Sequence, residues 1–378
     1  MTRLGLYIHW PYCQAKCPYC DFNSHVVRSI DMDAWADAYL SEIKQLSEIT
    51  EGRVLSSVFF GGGTPSLMSR DLVARVMDAI RSAWPIANDW EVTLEANPTS
   101  VEADRFAAYR MAGVNRISMG AQALNDTDLR RLGRLHTVAE ARDAFAVARD
   151  AFDRVSFDLI YARQDQSLAA WEDELGQALE MSIDHLSLYQ LTIEPGTAFG
   201  DRFAKGGLAG LPDEDLAADM YELTQRMCNA AGMPAYEVSN HARPGAESQH
   251  NLIYWTGADY IGIGPGAHGR LTLGDKRYAT VSESAPVQWL SMVSKSDPSP
   301  TSWDVLSADD QISEALMMGL RLNSGVALER LAQLGADLDD RIAPLVEAGL
   351  LKVDDQALQT TSEGRIMLNA VLRELIAG

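Results

Sequence analysis

Leu4–Asn23 reads LGLYIHWPYCQAKCPYCDFN, a short apolar run followed at once by Cys13, Cys17 and Cys20 in the spacing C-x3-C-x2-C. Three thiolates this close can wrap one metal centre without closing it. A cubane iron–sulfur cluster takes four protein ligands, usually cysteines, so three leave one iron open to a cofactor or substrate. Zinc obeys the same logic, with closed structural sites and an open position in catalytic ones. A zinc knuckle completed by His9 or His25 is the competing reading, although zinc sites normally pair C-x2-C with a distant second pair.

The bulk properties suit one large domain with a smaller one attached. The chain has 378 residues, of which 47% are apolar and 22% charged, ordinary values for a globular protein. Acidic residues outnumber basic ones 53 to 32, for a net charge of −21. Such a surface repels phosphate backbones and argues against nucleic-acid binding. No basic stretch followed by an apolar one opens the sequence, and no run of about 18 apolar residues occurs, so a cytoplasmic protein without a transmembrane segment is expected. Of four cysteines, three lie in the opening run, and Cys228 stands alone in a helical pattern. That is no disulfide framework, and a reducing compartment suits a thiolate metal site.

Downstream, Trp35, Tyr39, Ile43, Leu46 and Ile49 recur at helical spacing. Val54–Phe60 is then a β-branched and aromatic run ended by Gly61, Gly62 and Gly63. Leu72, Val76 and Ile80 mark a second helix, and Val92 and Leu94 a strand stopped by Asn97 and Pro98. Alternation returns at 116–122, 155–161 and 185–192, giving about six βα units in the first ~200 residues, the pattern of parallel strands joined by crossover helices. The polar and glycine residues fall at strand ends: the cysteines after the first, the glycines after the second, Glu95 and Asn97 on the third, Gln122 on the fourth, Asp158 late in the fifth. Barrels of this kind build their sites at the C-terminal ends of the strands. The fold class is therefore α/β, a partial (β/α) barrel over 1–235. A segment rich in His, Gly and aromatics follows over 236–300, with Gly200–Pro212 read as a loop and Ser294–Pro300 as a linker. Residues 301–378 read as a small winged-helix-like domain, whose acidic residues outnumber basic ones two to one from Asp309 onward; it is read as a structural or docking module.

Individual side chains each admit two readings. Tyr19 sets an aromatic ring beside the cysteines, for packing on a cofactor or for shielding the metal. The run Gly61-Gly62-Gly63-Thr64-Pro65 leaves backbone groups open to amino and carboxylate groups, or makes a tight turn. Glu95 suits a ribose hydroxyl pair, or a salt bridge inside the barrel. Gln122, Arg134 and Asp158 are weaker signals, and Arg134 also reads as an ordinary helix cation. His250, in HNLIYW with Tyr254 and Trp255, suits axial ligation of haem iron or a hydrogen-bonded structural role. His241 and His268 are the substitutes.

Taken together, YIHWPYCQAKCPYCDF, FFGGGTPS, LEANP, RISMGAQ, FDLIY and YEVSNHA…HNLIYW…GIGPGAH resemble the oxygen-independent coproporphyrinogen III oxidase-like family of the radical S-adenosylmethionine (radical-SAM) superfamily. HNLIYW is typical of its haem-chaperone branch. The resemblance implies a partial TIM-type barrel with a small winged-helix-like C-terminal domain. It implies that Cys13, Cys17 and Cys20 ligate a [4Fe–4S] cluster whose free iron chelates S-adenosylmethionine. Tyr7, Gly62 and Glu95 match positions contacting that cofactor, and Tyr19, Gly63, Thr64, Gln122, Arg134 and Asp158 match a second S-adenosylmethionine position of the oxidase branch. The implied function is a chaperone that binds haem through the His250 region and delivers it to apo-haemoproteins of respiration, touching membranes only through such partners. The alternative is the oxidase itself, decarboxylating coproporphyrinogen III. Two departures stand out. A DLIYGLPGQT-like string is replaced by DLIYARQDQS at 158–167, and the position of a further cysteine in the oxidase branch holds Phe22. Phe22, together with a site that reads as poor in cations, leads us to expect no oxidase activity.

Overall fold

Leu4, Leu6, Ile8 and Trp10 are fully buried, as the near-continuous apolar run of a strand covered on both faces requires. They form β1 (Arg3–Trp10) at the centre of the sheet. The computed structural model describes residues 3–99, 105–295 and 299–376. β2 (Val54–Gly62), β3 (Ile86–Ala96), β4 (Arg116–Gln122), β5 (Arg154–Tyr161) and β6 (His185–Gln190) follow in order, each parallel to the last. Between them lie helices whose starts are legible in sequence. Asp31, Ser69 and Ser167 cap Met32–Ile49, Arg70–Ala83 and Leu168–Met181, and Thr137 makes a capping box with Glu140 at Val138–Ala151.

The sheet stays open. β7 (Asn240–Ala242) adds antiparallel to β6 at one edge. On the other side β8 (Tyr260–Ile263) pairs parallel with β1, and β9 (His268–Leu273), β10 (Lys276–Ser282) and β11 (Thr301–Val305) continue as an antiparallel meander. Eleven strands result, in the order β11-β10-β9-β8-β1-β2-β3-β4-β5-β6-β7. β7 to β10, within residues 240–282, thus extend the main sheet, and Ile261, Ile263, Leu271 and Trp289 join its core.

Two other readings change. Gly200–Ala204 is not loop but part of a helix, Ala198–Ala204, started by Thr197, whose hydroxyl accepts from the Gly200 N–H. The proposed linker lies partly outside the described residues, and Ser294 and Lys295 end the helix Pro286–Lys295.

The C-terminal segment has its own core of Leu316, Leu320, Val326, Leu358, Val371 and neighbours. It runs helix Ala308–Gly319, β12 (Val326–Ala327), helices Leu328–Gln333 and Asp339–Glu347, then the β13 (Leu351–Val353) and β14 (Ala357–Thr360) wing. The single final helix expected is two, Ser362–Ile366 and Leu368–Ile376, parted at Met367. Among the described residues no helix is long and apolar enough to cross a membrane.

Candidate cofactor and ligand site

The cysteine loop leaves β1 from a rigid base. Trp10 and Tyr12 pack edge to face at 5.3 Å, and Trp35 meets both and stacks on Trp289 at 5.1 Å. The loop is closed by Cys13 N–H donating to His25 O at 2.9 Å and His25 N–H to Pro11 O at 2.7 Å. It is tied to the glycine run by Gly63 N–H to Trp10 O at 2.7 Å and Thr64 N–H to Tyr12 O at 2.8 Å. This closeness is why glycine stands here. A Cβ on Gly62, at φ +109°, would sit 2.6 Å from the His9 ring, and one on Gly63 2.7 Å from Tyr12 O. The glycines serve the packing of β2 on the cysteine loop before they serve any ligand.

No histidine completes the metal set. His9 is buried with one ring nitrogen on Tyr7 Oη (3.0 Å) and the other on Asn23 O (2.9 Å), and His25 Nε2 meets Asn23 Oδ1 at 3.0 Å. Among the described residues no three His, Cys, Asp or Glu side chains gather tightly enough to share one metal ion. Cys13, Cys17 and Cys20 all line one wide cavity. Cys228 is fully buried, and its thiol is pushed up to about 12 by desolvation, the mark of a core residue.

That cavity, about 1160 Å³, lies over the C-terminal ends of the parallel strands. Tyr19, Gly62, Gly63, Thr64, Glu95, Gln122, Arg134 and Asp158 all line it with the cysteines. Arg134 is no ordinary helix cation. It donates to Gly120 O at 2.8 Å, to Cys17 Sγ at 3.3 Å and to Asn97 Oδ1. Asn97 donates in turn to Thr64 Oγ1 at 3.1 Å, and Thr64 reaches Cys13 Sγ at 3.5 Å. One hydrogen-bonded arc therefore fixes two of the three thiols. Tyr19 packs near Phe199, its ring centroid 6.5 Å away.

Glu95 and Asp158 face each other's charge in this cavity. Burial first, and Asp158 second, push Glu95 up to about 8, while the Gly62 N–H opposes the shift. Asp158 rises to about 6 through burial, held back by Ser187, Arg116 and Ser118. No cation among the described residues lies within ion-pair distance of Glu95. A half-buried carboxyl group in that state fits a ligand bringing hydroxyl or ammonium groups. It also fixes a sign. A folded pKa above the unfolded one means that the native state keeps a proton the unfolded chain has lost, so stability falls as pH rises through the window. Above about pH 7.5, where histidine has lost most of its proton in both states, ligand-free protein should lose stability as pH rises through about 8. Glu95→Gln should flatten that slope, as melting temperatures between about pH 7.5 and 9 will show.

Two residues expected at the site do not line the cavity. Tyr7, on β1, has its hydroxyl on His9 and its ring 6.5 Å from that of His250, and it lies within electrostatic reach of Glu95. His250 is fully buried in the helix Gln249–Thr256. Its Nδ1 pairs with Ser57 Oγ at 2.8 Å and its Nε2 with Tyr254 Oη at 2.7 Å. Glu91, midway along β3, accepts from the His250 N–H and from Ser248, and pairs with Arg116 and Arg154 at the starts of β4 and β5. HNLIYW therefore plugs the barrel at the end away from the cysteines. Burial pushes the ring down to about 3, and as folded neither nitrogen is offered to haem iron. This is the structural role that the sequence left open. His241, buried beside Gln225, and His268, on β9, do not line the cavity either.

The altered DLIYARQDQS loop is a hydrogen-bonded turn. Ala162 (φ +57°) and Asp165 (φ +59°) take left-handed backbone where the family string has glycines. Arg163 holds the turn, its buried guanidinium donating to Asp128, Glu174 and Ile160 O, while Asp165 N–H reaches Gly210 O at 2.6 Å.

Several lining residues had no signal in the sequence. Tyr221, Arg321, Arg365, Ile366 and Met367 enter the cavity wall from the helix Glu214–Ala230 and the C-terminal segment. The site is thus less poor in cations than its motifs suggested.

Parallel strands with a three-cysteine loop after the first and a glycine run at the second define a radical-SAM protein. The pattern of the Radical SAM superfamily matches residues 7–175, and that of the HemN C-terminal domain residues 306–367. The "Heme chaperone HemW" of Escherichia coli (strain K12) is 39% identical over 388 residues, covering 100% of this chain and 99% of its own length. The bovine (Bos taurus) "Radical S-adenosyl methionine domain-containing protein 1, mitochondrial" is 39% identical as well, covering 99% of this chain and 88% of its own. Coproporphyrinogen III oxidase (HemN) from Escherichia coli superposes with a TM-score of 0.82 at 24% identity, over 99% of this chain and 90% of that one, a likeness of fold. This chain belongs to the HemW family of radical-SAM proteins.

Proposed function

We propose that this protein is a cytoplasmic haem chaperone that binds haem in the cavity above its partial barrel and passes it to apo-haemoproteins, respiratory enzymes among them. The observation that carries the reading is the cavity itself, taken with the full-length relatives named heme chaperones. At about 1160 Å³ it exceeds the roughly 300–1,000 Å³ of ordinary ligand pockets. It has room for a flat macrocycle beside a smaller cofactor. Phe22, Ile366 and Met367 line it while 58%, 44% and 50% exposed, an apolar rim suited to a hydrophobic cargo.

In this reading Cys13, Cys17 and Cys20 hold the [4Fe–4S] cluster, and Gly62 and Glu95 hold S-adenosylmethionine. When bound, that pair supplies one-electron chemistry. Arg134, Asn97 and Thr64 orient the thiols, which engages two of the residues expected at a second S-adenosylmethionine position. Haem ligation by His250 forms no part of the proposal.

The oxidase is the second reading, and Arg321 and Arg365 are the observation in its favour, since guanidinium forks grip carboxylates. Against it stands Phe22, exposed at the rim where the oxidase branch has a thiol. One experiment separates the two. Reconstituted protein is incubated anaerobically with coproporphyrinogen III, S-adenosylmethionine and a reductant, and in parallel haem-loaded protein is mixed with an apo-haemoprotein. We expect haem transfer without catalytic formation of protoporphyrinogen. Many turnovers of porphyrinogen would establish the oxidase.

A further inference from the structure

The cavity has a second polar wall, away from the strand-end motifs. Tyr221 comes from the helix Glu214–Ala230, Arg321 follows the helix Ala308–Gly319, and Arg365 belongs to the helix Ser362–Ile366. The Tyr221 hydroxyl and the Arg321 Nε are buried with no hydrogen-bond partner among the described residues. Two orphaned groups on one cavity wall ask for a common acceptor, because buried polar groups are otherwise paired. The hydroxyl also lies within electrostatic reach of both guanidiniums and of Glu237.

The charge of this wall has one sign in excess. Arg321 is placed by its ion pair with buried Glu237, at 3.2 Å, and by the Trp255 ring, 4.7 Å beneath the guanidinium. Arg365 donates to Arg321 O, Leu322 O and Thr360 Oγ1, all neutral acceptors. No carboxylate among the described residues pairs with it. Glu214 and Asp215 touch the same cavity, but they are exposed at a helix start and solvated.

We propose that Tyr221, Arg321 and Arg365 form a carboxylate-binding subsite on the C-terminal wall of the cavity. Resting on the haem reading above, its occupant is a propionate of haem, with the macrocycle lying along the Ile366–Met367 rim. The subsite also gives HNLIYW a part in ligand binding without iron ligation, since Trp255 carries Arg321.

The test compares anaerobic binding of ferric protoporphyrin IX and of its dimethyl ester, which has the same ring but no free carboxylates. Wild-type protein should prefer the free acid by about tenfold or more. Tyr221→Phe removes only an unpartnered hydroxyl, so it should cut that preference several-fold at unchanged melting temperature. Arg321→Gln should abolish the preference, and both variants should bind the ester like wild type. Should Arg321→Gln fail to fold, which the melt will reveal, Tyr221→Phe decides alone. Equal wild-type affinity for acid and ester overturns the subsite, as does wild-type discrimination in Tyr221→Phe. A wild-type protein that binds neither form overturns the haem reading, and the propionate subsite falls with it.

Discussion

Anaerobic reconstitution of Cys13→Ser, Cys17→Ser or Cys20→Ser protein is expected to yield almost no iron, against about four irons per chain in wild type. The expectation is large because the loop has no spare ligand. His9 and His25 both spend ring nitrogens on the loop's own closure. Cys228 sits fully buried toward the end of the helix Glu214–Ala230 and does not line the cavity. Serine is a far poorer ligand for iron than thiolate, and a cluster cut to two thiolates loses its hold. Cys228→Ser should reconstitute normally. The arc behind the thiols should matter less, but measurably. Arg134→Lys keeps a cation yet loses the fork that joins Cys17, Asn97 and Gly120 O, so it should lower cluster retention without abolishing it. Iron and sulfide analysis with the broad visible absorbance checks each case. Full iron stoichiometry in any one of the three single cysteine variants would sink the assignment.

What the sequence made legible was local. Each βα unit announces itself within about 30 residues, through an apolar run, a stop and an amphipathic helix with a capping residue. The sequence therefore places the strand-end residues at one end of the barrel. The glycine run was legible as a close approach, but not that its nearest neighbours are His9 and Tyr12 of the chain itself. β8 escaped notice because Tyr260–Ile263 is four residues long, lies between glycines and pairs with a strand some 250 positions earlier. Arg321 and Arg365 were invisible as site residues for a similar reason. Each sits in a segment whose periodicity speaks only of a small helical domain, and its approach to Tyr221 is a tertiary fact. HNLIYW was visible as unusual but ambiguous in kind. An imidazole among aromatic rings reads alike as a haem ligand and as the packed plug of a barrel. The end of the barrel it occupies decides between them, and that is set by Glu91, Arg116 and Arg154, of which only Arg116 falls within a quoted motif, RISMGAQ.

His250→Ala should therefore behave as a core mutation and not as the loss of an iron ligand. The ring stacks on Phe59 at 5.1 Å and meets Tyr254 edge-on at 4.8 Å. Truncation leaves a cavity and strips Ser57 Oγ and Tyr254 Oη of their partner, a combined cost of roughly 3–5 kcal/mol. For a chain of this size that is a fall in melting temperature on the order of 4–6 °C. His250→Asn, which can keep a polar atom near the Nδ1 position, should recover part of the loss. The pH dependence carries a second signature. A ring held down to about 3 in the native state and titrating near 6.5 when unfolded leaves more protons on the unfolded chain between those values. Stability therefore drops as pH falls from about 6.5 toward 3. Wild-type protein should show that acid loss, and the Ala variant should show less of it. If haem binds in the cavity, the Soret band of the folded, haem-loaded variant should keep its wild-type position, with any weakening of binding following the loss of stability. A shifted band in a His250→Ala protein of undiminished stability would mean that the barrel opens to present this imidazole to iron, and the plug would then be a ligand after all.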